Sequence, residues 1–132
     1  MSKSNFKLPT YCFINIGTGI YQEHILKTLK KKNIFTISTD ILPNVKGLRY
    51  ADSKIICSSR NYKKIFLEIL KIKKQKKLEI IGVISGCTRG AIYTASYLSK
   101  KFNLECLNLK TAKLISNKKL FLKKNNKKIF KK

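Results

Sequence analysis

A chain of 132 residues with 43% apolar content has room for one packed core and not for two. Thirty basic residues against six acids give a formal charge of +24, but no apolar run reaches the roughly 18 residues that a membrane span needs. The polar start Met1–Pro9 lacks the apolar stretch of a signal peptide, so a cytoplasmic globular protein without membrane contact is expected.

Residues 1–9 read as a flexible segment. Tyr11 to Ile16 is almost wholly apolar, as strands are when both faces of a sheet are covered. Gly17-Thr18-Gly19 follows as a tight turn. Ile20 to Lys31 has helical spacing, with Tyr21, Ile25 and Leu29 on one side and lysines in the last turn, where cations suit the helix dipole. Ile34 to Thr39 is a second strand closed by Asp40, and Leu42 to Arg49, with Pro43 and Gly47, is a loop. Lys54 to Cys57 is a short third strand. Ser58 or Ser59 then caps a helix whose Tyr62, Ile65, Phe66, Ile69 and Leu70 repeat at i, i+3, i+4, i+7 and i+8, with a solvated lysine face through Lys77. Leu78 to Ile84 is a fourth strand, Ser85 to Gly90 a polar turn, and Ala91 to Lys101 a helix with Ile92, Ala95 and Leu98 inward. Leu104 to Leu107 is expected as a fifth strand, and Thr111 as the cap of a helix to about Leu122. Residues 123–132, mostly lysine and asparagine, form a tail with too little apolar surface to fold alone.

Strand–helix alternation of this kind builds a parallel, doubly wound sheet. With right-handed crossovers the strand order is 3-2-1-4, any fifth strand lying beyond the fourth. Residues 10–122 therefore read as a three-layer, Rossmann-like α/β domain with a four- to five-stranded parallel sheet. In such sheets ligands bind outside the carboxyl ends of the strands, where the order reverses. Here that crevice lies between the first and fourth strands, flanked by Gly17–Gln22 and Ser85–Gly90. The candidate substrate-binding residues are Gly17, Thr18, Gly19, Gln22, Asp40, Gly86, Thr88 and Arg89. The glycines let backbone approach a ligand, and Arg89 is suited to bidentate carboxylate recognition. Asp40 either meets the ligand or caps locally; Asp52 is expected to fix its own turn, and His24 to be structural.

Other chemistries fare worse. Cys12, Cys57, Cys87 and Cys106 form no C-x-x-C pair and His24 is the sole histidine, so no metal site is expected. Three of the cysteines fall in expected strands, as small hydrophobes, and only Cys87 in a loop. Only Arg49, Arg60 and Arg89 are arginine, the residue that pairs with phosphate and guanine edges, so nucleic acid is a partner only non-specifically, through charge. A nucleotide-binding module of the NAD type is an alternative. Gly17 and Gly19 match the first two glycines of G-x-G-x-x-G and Asp40 stands near the ribose-binding distance, but Gln22 replaces the third glycine.

Taken together, Gly17-x-Gly19, Asp40-x-x-Pro43, Tyr50-Ala51-Asp52, the strand Ile81–Ile84, the helix Ala91–Lys101 and the segment Thr111–Lys118 resemble the N-terminal, Rossmann-like domain that precedes the ATP-binding lobes of ATP-grasp ligases. That superfamily includes carbamoyl-phosphate synthase and biotin carboxylase. The resemblance covers about residues 13–121 and implies a domain that helps bind a carboxylate-bearing or amine substrate, with ATP and magnesium belonging to the complete enzyme. The six acids, Glu23, Asp40, Asp52, Glu68, Glu79 and Glu105, are scattered singly, whereas magnesium in such chemistry is held by carboxylates. No catalytic residue and no cofactor are therefore expected for this chain alone. It reads as a truncated ligase, or as one whose lobes come from a partner chain, with a small-molecule substrate.

Overall fold

The computed structural model describes residues 8–19, 22–85 and 89–129. Strand β1 (Thr10–Ile16) sends Cys12, Ile14 and Ile16 to one face, all fully buried, as the two-residue period of a strand requires. It lies between β2 (Phe35–Asp40) and β4 (Leu78–Ser85), parallel to both, and β3 (Ser53–Ile56) pairs in parallel with β2. The sheet order is β3-β2-β1-β4, the order expected from the crossover rule. Pairing of β1 with β4 steps from Cys12–Ile80 to Phe13–Gly82, which leaves Ile81 as the extra residue of a bulge.

Helices α2 (Tyr62–Lys76) and α3 (Arg89–Lys101) cover one face. Their Ile65, Ile69, Ala91 and Leu98 form a single core with Cys12, Ile14, Ile16, Ile37, Ile55 and Ile80. Burying each large aliphatic side chain contributes about 1.5–3 kcal/mol. Tyr62, Tyr97, Phe66 and Phe102 extend this core between the two helices, with ring centroids 4.6–6.1 Å apart in tilted or edge-on contacts.

Helix α1 (Gln22–Lys31) and a 3-10 turn (Lys46–Tyr50) pack together on the opposite face, burying Leu26, Leu29 and Leu48. The inward side of α1 is thus Gln22, Leu26 and Leu29, while Ile25, expected inside, is 36% exposed. Spacing by four from Ile25 to Leu29 suits either face of a short helix; the position of β2 beneath α1 selects one. Tyr21 lies outside the described residues.

Three further expectations change. Neither Ser58 nor Ser59 caps α2: Asn61 does, its side chain accepting from the Lys64 N–H, while Ser58 Oγ accepts from Arg60. Residues 104–108 form no strand. Leu104 packs on the core, but Glu105, Cys106 and Leu107 are exposed, so four residues hemmed in by left-handed Asn103 and the helix-capping Asn108 offer no apolar face to a sheet. The expected helix to Leu122 is two. Asn108, not Thr111, caps α4 (Leu109–Ser116); Asn117 is extended, and its side chain accepts from Leu120 N–H at 3.2 Å to start α5 (Lys118–Ile129). Asparagine offers the backbone a rival partner, which favours caps over helix interiors. The lysine-rich stretch beyond 122 accordingly continues as helix through Ile129, and α5 as a whole packs against α4. No helix among the described residues is long and apolar enough to cross a membrane.

Cys12 is fully buried and Cys106 exposed. Burial pushes the Cys12 thiol up to about 12, with only a backbone hydrogen bond opposing it. Since the thiolate is the nucleophile, the native protein reacts with an aromatic disulfide reagent at Cys106 and not at Cys12, which reacts only after denaturation. Peptide mass spectrometry of the labelled protein reads this directly.

Candidate functional site

The carboxyl ends of β1 and β4 meet at the pair Ile16–Ser85, so the chain leaves both strands at neighbouring points. Gly17 turns the chain with φ +79°, a left-handed conformation that glycine adopts without a side-chain penalty. An added methyl would touch nothing within 4 Å, so the requirement here is conformational. Gly17→Ala should cost about 1–2 kcal/mol while leaving the sheet intact, as a shift in the urea midpoint at unchanged slope would record. A neutral effect would mean that the turn has another shape.

All three amides of the turn are held by the protein itself. Gly17 N–H donates to Thr39 O at 3.0 Å, Thr18 N–H to Asp40 Oδ2 at 3.0 Å, and Gly19 N–H to Gln22 Oε1 at 2.9 Å. Thr18 Oγ1 also donates to Asp40 Oδ2, and Leu42 N–H to Asp40 Oδ1 at 3.0 Å. Burial acts to raise the Asp40 pKa, but the bonds from Leu42 N–H and from the hydroxyl and N–H of Thr18 outweigh it and hold the carboxyl below its ordinary value. Asp40 is therefore an anion clamped under the glycine turn, in the role of a local cap.

Beneath the turn lies Asn15, fully buried on the α1 face. Its Nδ2 donates to Gly17 O at 3.0 Å and to Ser38 Oγ at 2.8 Å, tying β1, β2 and the turn together. An asparagine inside an otherwise apolar strand was the available sign of this network, since a buried amide must find partners.

Gln22 opens α1 and is buried, its backbone N–H bonding back to Gly19 O. Arg89 opens α3. Gly86 and Thr88, two further candidates, lie outside the described residues. The structure adds Arg60 to the same edge. It leaves the carboxyl end of β3, where Cys57 N–H donates to Asp40 O, and reaches the start of α3. A methyl on Gly90 would stand 2.6 Å from Arg60 Cγ and 2.9 Å from its Nε, so any larger residue there makes the arginine side chain shift. Thr94 of α3 fastens the same loop, its hydroxyl donating to Ser59 O.

Asp52 lies at the other edge. Its carboxylate accepts from Thr36 N–H at 2.8 Å, at the start of β2, and its own N–H returns a bond to Thr36 O at 3.0 Å. Four residues of β2 separate that point from Asp40, roughly 13 Å at 3.3 Å per residue. Asp52 thus docks the entry to β3 rather than its own turn alone. Among the described residues no group of three His, Cys, Asp or Glu could hold a metal ion.

No protein-family model and no curated protein sequence matches the chain. Solved structures do. Phosphoribosylglycinamide synthetase from Anaerococcus prevotii superposes with a TM-score of 0.64 at 24% identity, over 91% of this chain and 29% of that one. N5-carboxyaminoimidazole ribonucleotide synthetase from Thermotoga maritima gives 0.53 at 18% identity, over 89% of this chain and 31% of that one. UDP-glucose 4-epimerase from the same organism, solved with UDP-glucose, gives 0.52 at 15% identity over 72% of this chain and 35% of that one. The chain spans about a third of the length of each. Both synthetases are ATP-grasp enzymes, and over nine-tenths of its length this chain has the fold of an α/β portion of such an enzyme.

Proposed function

We propose that this domain positions the acceptor substrate of an ATP-grasp, carboxylate–amine type ligase, at the crevice between the glycine turn and the start of α3. The observation that carries the reading is the Ile16–Ser85 pairing, which brings the chain out of β1 at Gly17 and out of β4 toward α3 at neighbouring points, with Arg60 lying against Gly90 in the first turn of α3, in a fold shared over 91% of the chain with a synthetase. Arg60 and Arg89 supply positive charge for a carboxylate or phosphate on the substrate, and Asp40 holds the turn in shape. Its own carboxylates are spread over the domain: Glu23 pairs with Lys27, Glu68 with Lys71, Asp40 with Thr18 and Asp52 with Thr36. They do not fit magnesium–ATP, so the lobes that would energise the substrate belong to another part of a longer polypeptide or to a partner chain.

The internal bonding of the turn favours this reading over a dinucleotide. A pyrophosphate bound at such a turn takes backbone N–H groups, but those of Gly17, Thr18 and Gly19 are already spoken for, and Asp40 sets a negative charge beneath them.

Amide chemical shifts of the labelled protein provide the test, with glycine, ribose 5-phosphate and NADH added in turn. The expected result is that glycine or ribose 5-phosphate moves the resonances of Gly17, Thr18, Gly19 and Gly90, with affinity on the order of millimolar for a site lacking its lobes. Saturation by NADH at micromolar concentration, or no movement of these four with either small ligand, would overturn the proposal.

A further inference from the structure

Away from the switch point, α4 and α5 enclose a groove of about 420 Å³. Leu114 and Leu120 line it together with Lys110, Lys113, Lys123 and Lys124. The segment that carries the groove is unusual for a lysine-rich surface. Leu107, Ile115, Leu120, Phe121 and Leu122, all within or next to α4 and α5, are each between 36% and 46% exposed, and exposed large apolar side chains in number mark a place where something binds. From residue 106 onward the sequence has ten lysines and no acid.

We propose that this groove docks an acidic amphipathic peptide segment of a partner protein, its aliphatic side chains against Leu114 and Leu120 and its carboxylates on the four lysines. Charge complementarity selects this occupant. A second copy of the chain would bring the same acid-free lysine cluster against itself, at a cost in like-charge repulsion. Nucleic acid would find lysines for its phosphates, but among the described residues no aromatic ring or arginine lines the groove for its bases to stack on. A bilayer needs a continuous apolar face, and the lysines of α5 at 118, 119, 123 and 124 are spread around the helix.

The test uses the full chain and a fluorescent 16-residue peptide carrying glutamates on one helical face and leucines on the other, followed by anisotropy. Saturable binding on the order of micromolar is expected, weakening about tenfold between 50 and 200 mM salt. Reversing two lysines together, Lys113→Glu with Lys123→Glu, should weaken it a further tenfold or so, and Leu120→Ser about fivefold. Leu120 is 43% exposed, so that variant keeps its fold, as an unchanged circular dichroism spectrum verifies. Equal binding of an all-glutamate peptide, or indifference to Leu120→Ser, would reduce the site to bare charge and overturn the proposal. Leu120-dependent binding to phosphatidylserine vesicles without peptide binding would assign the groove to membranes instead. A concentration-dependent dimer abolished by Leu120→Ser would assign it to a second copy.

Discussion

Asp40→Ala should destabilise the domain by about 2–3 kcal/mol, since hydrogen bonds to an ionised group contribute roughly 1.5–3 kcal/mol each and those sharing one carboxylate do not add fully. Three donors lose their acceptor at once: Thr18 N–H, Thr18 Oγ1 and Leu42 N–H. The partial exposure of Asp40 lets water replace some of them, which keeps the loss below that of a fully buried network. Asp40→Asn keeps the shape but offers one acceptor oxygen instead of two, and should fall between wild type and alanine.

The same carboxylate sets an acid limit. Its folded-state pKa is lowered, so the folded protein binds this proton less tightly than the unfolded chain does. The contribution is complete above the ordinary aspartate value of 3.8, and is lost as pH falls below it and through the lowered folded value. Urea titrations between pH 6 and pH 3 should show a decline in stability that Asp40→Asn flattens. A variant declining as steeply as wild type would place the acid sensitivity elsewhere. If the turn is also where substrate sits, Asp40→Ala weakens ligand-induced shifts at Gly17–Gly19 in parallel.

Ile14→Ala should cost about 3–4 kcal/mol, in the middle of the range for emptying a packed aliphatic site. Ile14 is fully buried at the centre of the sheet, opposite Ile37 on β2 and Val83 on β4, within the core that Ile65, Ile69 and Leu98 complete from the helices. Strands on both sides and helices above prevent collapse into the void. Domains of this kind have about 5–15 kcal/mol of total stability, so the variant should lie near its unfolding threshold. Ile14→Val, which removes one methyl group, should cost about 0.5–1.5 kcal/mol. Denaturant midpoints at constant slope decide the matter: a loss below about 1 kcal/mol for alanine would mean that the core repacks.

The architecture was legible because it rests on local and topological rules. The apolar runs at Tyr11–Ile16 and Leu78–Ile84 are long enough to name strands, and the crossover rule then leaves one order, 3-2-1-4, which the sheet has. Helix caps were harder. Ser58, Ser59 and Thr111 are good cap residues by type, yet Asn61, Asn108 and Asn117 hold those positions, because several side chains nearby can serve and only the path of the chain chooses among them. The fifth strand failed for a related reason: β4 leaves an open edge, but Leu104–Leu107 runs between left-handed Asn103 and the helix-capping Asn108 and does not pair with it.

The amino-acid order alone determined where the glycine turn falls, that an aspartate ends the neighbouring strand, and which two loops share the switch point. Periodicity and spacing encode these facts within a few residues of one another. Tertiary contact decided what the parts do. It turned Asp40 into the clamp of Thr18, sent Asp52 to the far edge of the sheet, set Asn15 beneath the turn and laid Arg60 against Gly90. Each of these joins residues brought together by the packed sheet and helices, and the side-chain bonds that assign their roles exist only once that packing is complete.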